Sequence, residues 1–159
     1  MNTTSHGAAA SQSGLTGLIE RILNWLDRVP YSLLAIPARL AVAEVFWSSF
    51  STKIQNWDTT VALFEDEYKL PLLSPDAAAH LTAGIEATSS ILLVLGLLTR
   101  PVAFLLLGMS AYIEAFIYPR AWPTHIQWAA MLVFLLCRGP GKVSLDYLIK
   151  RWLGIGEAI

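Results

Sequence analysis

The chain has 159 residues, 55% of them hydrophobic and only 14% charged, with a formal net charge of −1. A soluble domain carries about 25% charged residues, so this composition, with a mean hydropathy of +0.52, excludes an ordinary soluble protein. Charge so near neutrality sets up no basic field for nucleic acid, and the single cysteine, Cys137, allows neither an internal disulfide nor a CxxC pair. Cys137 reads as a small buried apolar residue.

Residues 1–14 are small and polar and read as a disordered tail. They lack the basic and apolar regions of a signal peptide, so the first long apolar segment serves as its own insertion signal. Residues 15–29 predict an amphipathic helix lying in the membrane interface. Leu15, Leu18, Ile19, Ile22, Leu23 and Leu26 follow helical spacing opposite Glu20, Arg21 and Asn24, and Trp25 suits the interface.

Four apolar stretches follow within residues 30–141: Tyr31–Phe50, Ala77–Leu98, Pro101–Tyr118 and Ala121–Cys137. Each approaches the roughly 20 residues that a helix needs to cross the hydrocarbon core. The predicted fold is therefore all-α, a polytopic membrane four-helix bundle with flanking interfacial amphipathic helices. In the loop from Ser51 to Asp76, Asp58 is expected to cap a helix carrying Val61, Phe64 and Tyr68. The acidic run Glu65-Asp66-Glu67 lies on its outer part, and Pro71 and Pro75 end it. Thr99-Arg100-Pro101 permits only a tight antiparallel hairpin, and Tyr118–Pro123 marks an interface turn rich in Pro and aromatics. Residues 142–159 predict a cytoplasmic amphipathic helix capped by Ser144, with Leu145, Leu148, Ile149, Trp152 and Leu153 on one side and Lys150 and Arg151 on the other.

Orientation follows from Lys and Arg counts. With both termini in the cytoplasm, Arg21, Arg28, Arg39, Arg100, Arg138, Lys142, Lys150 and Arg151 fall inside, against Lys53, Lys69 and Arg120 outside. The expected location is the bacterial inner membrane, as a multi-pass protein whose first partner is the lipid bilayer.

Ionisable residues inside spans mark polar interior sites. At ~1.5 Å per residue, Glu44 lies ~9 Å and Glu86 ~13 Å below the outer surface, with Glu114 and His125 each ~6 Å in. These four, with Tyr118 and with Arg39 as a partner for Glu44 or Glu86, are the candidates for an outer-half ligand or proton cavity. Ala79, Ala83, Glu86 and Ser90 share one stripe of the second span, and Ser110, Ala111, Glu114 and Tyr118 one of the third. His80 is placed on a rim. Acidic groups, His, Tyr and Trp together suit a quinone headgroup, which needs donors for its carbonyls and aromatics for its ring. Glu114 and His125 are also the candidates for a metal, although no Glu-x-x-His spacing occurs.

Arg39, Lys53 and Glu86, the turn Gly96-Leu-Leu-Thr-Arg100 and the ending Arg138-Gly139-Pro-Gly141-Lys-Val-Ser144-Leu-Asp146 together resemble the DoxX family of small four-helix bacterial membrane proteins, over roughly residues 36–153. The family often has glycine shortly before the lysine of the first span, where this chain has Ser48, Ser49 and Ser51. The wording Tyr118-Pro-Arg-Ala-Trp122-Pro-Thr-His125-Ile-Gln-Trp128-Ala is similar to a branch found beside genes for small metal-responsive modified peptides.

The resemblance implies Arg39, Lys53, Glu86, Arg100, Gly139, Gly141 and Asp146 as signature positions, and it carries over no catalytic residue. It further implies an accessory inner-membrane subunit of a redox or copper-related metal-stress system, with protein partners from the same operon. Whether the chain catalyses stays open; if it does, it resembles a quinone-linked oxidoreductase. A small transporter or channel component for a metal or modified peptide, and a structural anchor for partner proteins, are the alternatives.

Overall fold

In the computed structural model, which describes residues 6–155, the protein is all-α: seven α-helices and one π-turn, with no strand among the described residues. The helices are α1 (His6–Asp27), α2 (Tyr31–Gln55), α3 (Trp57–Leu63), α4 (Pro75–Leu95), α5 (Thr99–Phe116), α6 (Trp122–Arg138) and α7 (Leu145–Trp152), and the π-turn Phe64–Tyr68 continues α3. Of the expected tail, residues 1–5 lie outside the described residues, as do 156–159 at the other end. From His6 onward the chain is already helical, and its Ala8-Ala9-Ala10 is a run of the strongest helix former. On both terminal helices the apolar face is exposed: Leu18 and Trp25 on α1, Leu148 and Trp152 on α7.

Helices α2, α4, α5 and α6 share one apolar core. Val42, Ala43 and Phe46 of α2 meet Leu93 of α4, Val102, Ala103 and Leu106 of α5, and Leu132 and Leu135 of α6. Helix α2 packs chiefly along α4, and α5 along α6. The expected small-residue stripe of α4 is this inward face, since Ala79, Ala83, Glu86 and Ser90 are all buried. A second cluster joins Phe64, Ala78 and Ala79, with Trp57, Val61 and Tyr68 against it, and seats the α3 segment on the start of α4.

Three expectations are corrected. Helix α2 continues past Phe50 to Gln55, so Lys53 is a helical residue rather than part of a loop. No Pro or Gly interrupts Ser51–Gln55, and the Lys53 charge has a partner, described below. Asp58 lies in the first turn of α3, while Asn56 occupies the capping position. Cys137 is exposed rather than buried, because the α6 face that packs carries Leu132 and Leu135.

Arg39 pairs with neither Glu44 nor Glu86. It sits at the opposite end of the core, 4% exposed, where its Nη2 donates to the Val143 carbonyl at 2.8 Å. Around it the polypeptide closes on itself. Gly96 ends α4 with φ +65°, and Leu97 N–H reaches the Leu92 carbonyl at 2.9 Å in a Schellman-type turn. Leu98 cannot cap α5 with its side chain; instead Asp146 accepts Leu98 N–H at 2.8 Å and Thr99 N–H at 3.0 Å. A carboxylate there also meets the positive end of the α5 dipole.

Nearby, Arg100 Nη2 donates to the Cys137 carbonyl at 3.3 Å and the Tyr31 hydroxyl to the Gly139 carbonyl. At Gly141, φ +82°, a Cβ would come within 2.9 Å of Ser32 Cα. Five of the signature positions, Arg39, Arg100, Gly139, Gly141 and Asp146, thus belong to one structural closure.

A Cβ at Gly96 would fall 1.8 Å from Arg39 Nη1, on a backbone conformation that L-residues avoid. Gly96→Ala is expected to destabilise the protein by about 2 kcal/mol or more, read as a lowered Tm of the detergent-purified protein. An unchanged Tm would show that the Arg39 side chain moves aside freely.

Candidate functional site

At the other end of the core, Lys53 and Glu86 form a buried ion pair. Lys53 Nζ lies 2.7 Å from Glu86 Oε1 and 2.8 Å from Oε2, with side chains 12% and 3% exposed. Ser49, one helical turn before Lys53 on α2, accepts from Nζ at 2.8 Å and donates to Oε1 at 3.0 Å. On α4, Ser90 Oγ donates to the Glu86 carbonyl at 2.8 Å. Burying two charges costs several kcal/mol each unless geometry and extra hydrogen bonds compensate, and here both the bidentate approach and Ser49 do so.

The pair forms one wall of a cavity of about 210 Å³. The facing wall comes from α5, the turn after it and α6, and carries Ser110, Tyr118, His125 and Trp128, with Phe46 and Tyr68 among the rest of the lining. His125 Nδ1 is 2.6 Å from Glu114 Oε2. With Nδ1–H donated to that carboxylate, Nε2 is the free position of the ring. Trp128 lies 4.9 Å from the His125 ring and 6.1 Å from Phe46, both tilted. Ser110 is 4% exposed, and its hydroxyl has no hydrogen-bond partner among the described residues.

The π-turn and the turn after α5 stopper the cavity towards the loops. Tyr68 stacks on Phe64 with centroids 4.6 Å apart and meets Tyr118 edge-on at 6.1 Å. The Tyr118 hydroxyl donates to Glu67. That bond to a carboxylate, and then burial, push the Tyr118 phenol up to about 12. Burial first, and then the Glu86 and Glu67 carboxylates, raise the Tyr68 phenol. Glu67, the last residue of the acidic run, thus holds a defined contact.

The structure brings Glu86, Tyr118 and His125 to one cavity, with Glu114 behind His125. It does not bring Glu44 there. Glu44 is exposed on the other face of α2 and lines an apolar hollow of about 560 Å³ with Leu40, Trp47, Ile91, Val94 and Leu95. This hollow is larger, yet apart from Glu44 and Ser90 its lining is apolar, so the smaller cavity holds the chemistry. Arg39 belongs to the far closure, and His80 is exposed on α4, edge-on to Trp57 at 4.3 Å, and lines neither cavity. Glu114 and His125 remain a pair: no third His, Cys, Asp or Glu joins them among the described residues.

Sequence reasoning placed Lys53 as a signature position and an outer cation, and named Ser49, Tyr68 and Ser110 without assigning them to the site. The usable signal was Ser49-x-x-x-Lys53, an i,i+4 pair on a helix. Continuing the first span by one turn would have turned that pair inward.

A family model described as DoxX matches residues 34–119, more than half of the chain. The chain belongs to the DoxX family. The match covers Arg39, Lys53, Glu86 and Arg100 and stops before His125, Gly139, Gly141 and Asp146. An uncharacterized protein of Haemophilus influenzae (strain ATCC 51907 / DSM 11121 / KW20 / Rd) is 27% identical over 120 residues, covering 66% of this chain and 78% of that protein. No solved structure matches. As a DoxX protein the chain is a membrane protein, and α2 and α4 are each long and apolar enough to cross a bilayer.

Removing one partner of a buried pair strands the other charge. Lys53→Met alone is expected to cost about 3–5 kcal/mol, whereas Lys53→Met combined with Glu86→Met should recover most of it. A double-mutant cycle of thermal melts measures this, and additive losses would mean that the two charges do not interact.

The Tyr118–Glu67 contact needs the phenol proton, so it is intact below the ordinary tyrosine pKa near 10 and is lost as pH rises through about 12. Glu67→Ala should bring the Tyr118 phenol back towards its ordinary range, followed as phenolate absorbance against Tyr118→Phe. Superimposable alkaline titrations of wild type and Glu67→Ala would remove the contact.

Proposed function

We propose that this DoxX protein is a four-span inner-membrane protein with both termini cytoplasmic, acting as an accessory subunit of a redox or copper-related metal-stress system. Its Lys53–Glu86 cavity, in the outer half of the membrane, binds a quinone headgroup or a small ligand of similar chemistry. The carrying observation is the cavity itself, lined by the Lys53–Glu86 pair, the Ser110 hydroxyl and the rings of Phe46, Tyr68 and Trp128.

The topology rests on the Lys and Arg asymmetry. It places the Lys53–Glu86 end outside, and the Arg39–Asp146 closure, beside the basic α7, inside. The exposed apolar faces of α1 and α7 support their lying in the interface, with Lys150 and Arg151 of α7 towards anionic headgroups.

The residues fit a quinone headgroup. Its two carbonyls require donors on opposite sides, and Lys53 on one wall and the unpartnered Ser110 hydroxyl on the other can supply them, since Tyr118 gives its proton to Glu67 and His125 its Nδ1–H to Glu114. Trp128, Phe46 and Tyr68 offer the ring its packing surface. The unpartnered Ser110 hydroxyl supports a ligand, because a buried polar group without a partner costs about 1–3 kcal/mol. A bound quinone supplies carbonyls that take up protons on reduction. This chain supplies orientation through Lys53, and proton-holding positions at Glu86 and at the Glu114–His125 pair.

The detergent-purified protein should retain or bind a quinone, detected by extraction and by quenching of Trp128. The Lys53→Met/Glu86→Met double variant, folded by the criterion above, should bind at least about tenfold more weakly, as befits the loss of a charge-assisted hydrogen bond. Equal binding by the double variant, or none by wild type, would overturn the reading and leave a scaffold for partner proteins.

A further inference from the structure

A second hollow, of about 280 Å³, lies between α5 and α6. Its apolar walls are Leu107, Ala111, Ala115, Trp122 and Ala129, and its polar groups are Ser110, Glu114 and His125. Ser110 and His125 also line the polar cavity, so these two side chains are the partition between a hydrocarbon-like groove and the Lys53–Glu86 site.

The groove exists because small residues replace large ones where α5 and α6 diverge. Below it the two helices interlock through Leu106, Leu132 and Leu135, all completely buried. Beside it Ala111 and Ala115 are exposed, and Phe104, Phe116 and Trp122 project outward at 68%, 74% and 56% exposure. From Ala115 to Leu107 the groove runs ~12 Å along the helix at ~1.5 Å per residue.

Three observations connect this groove to a ligand. The route into the polar cavity from the loop side is stoppered by the Tyr68–Tyr118 contact and the Tyr118–Glu67 hydrogen bond. The partition holds a buried hydroxyl, Ser110, that has no hydrogen-bond partner among the described residues. Neither hollow alone reaches the roughly 300–1,000 Å³ usual for a small-molecule or cofactor site, whereas the two together do.

We propose that the ligand is an amphiphile dissolved in the bilayer, which enters laterally between α5 and α6. Its polar ring lodges in the Lys53–Glu86 cavity, and its hydrocarbon chain passes over Ser110 and lies along Leu107, Ala111 and Ala115. This rests on the ligand-binding reading of that cavity and adds the ligand's apolar chain and its path. A chain leaving through this groove meets acyl tails and no water, as a lipid-soluble molecule requires. Ser110 is the smallest side chain of the partition and the one through which a chain can pass, and its hydroxyl faces the first polar atom of the ring.

The test uses two probes on the detergent-purified full chain: a benzoquinone with a long isoprenoid tail, and the same ring without a tail. Ala111→Phe and Ala115→Phe fill the groove from α5, and Ala129→Leu fills it from α6 should either phenylalanine impair folding. Overpacking the groove should weaken the tailed quinone by about tenfold or more, while the tailless ring binds within about twofold of wild type. Unchanged affinity for the tailed quinone in folded variants, or equal loss of both probes, would overturn the lateral route while leaving the cavity reading intact. Failure of both probes to bind wild type would remove the cavity reading, and the route with it.

Discussion

A lysine and a glutamate brought together from different helices, away from water, constrain everything around them. Neither charge is tolerable alone in an apolar surrounding, so α2 and α4 must hold a register in which Lys53 and Glu86 meet. Ser49 adds a hydroxyl that both donates and accepts, which restricts the rotamers of the pair. The small residues of α4, Ala79 and Ala83, let the helices approach closely enough for this contact. What results is a fixed polar wall rather than a mobile charge, and a cavity with such a wall can orient a ligand.

The opposite end of the core shows the same economy with a different purpose. Asp146, arriving from the far end of the chain, caps α5 at Leu98 and Thr99, while Arg39 reaches past Gly96 to Val143. One carboxylate and one guanidinium thereby tie the C-terminal segment to the α4–α5 turn and to α2. The positions that carry the resemblance to the DoxX family divide accordingly. Lys53 and Glu86 line the cavity, and Arg39, Arg100, Gly139, Gly141 and Asp146 tie the helix ends together at the far end of the core. Residues of one family signature can therefore carry unrelated physical duties.

Between the two ends, the aromatic residues control access. Tyr68 and Tyr118 cover the cavity on the loop side, and the π-turn supplies the geometry that aims Tyr68 inward. Extra residues inserted into a helix as a π-turn reorient the side chains that follow it, and such turns are frequent at functional sites. On the α5–α6 side Ser110 and His125 stand between the cavity and a groove lined by Leu107, Ala111, Ala115 and Ala129.

Helical class, the apolar segments and the turns between them are legible in the residues, because each depends on local composition and on spacing of three to four residues. Glu86, Tyr118 and His125 were legible as buried polar groups for the same reason: a titratable residue amid an apolar run is conspicuous wherever it points. Partnership was not legible. Depth along a helix axis grouped Glu44 with Glu86 and allowed Arg39 to join them, but direction around the axis separates all three. One turn more of α2 turned Lys53 from a loop cation into the charge that Glu86 requires. By itself the sequence determined that this chain would be helical, apolar and furnished with polar groups that demand partners. Only the tertiary structure decided which partners they found, because a pairing across helices depends on rotation and register, which no local pattern encodes.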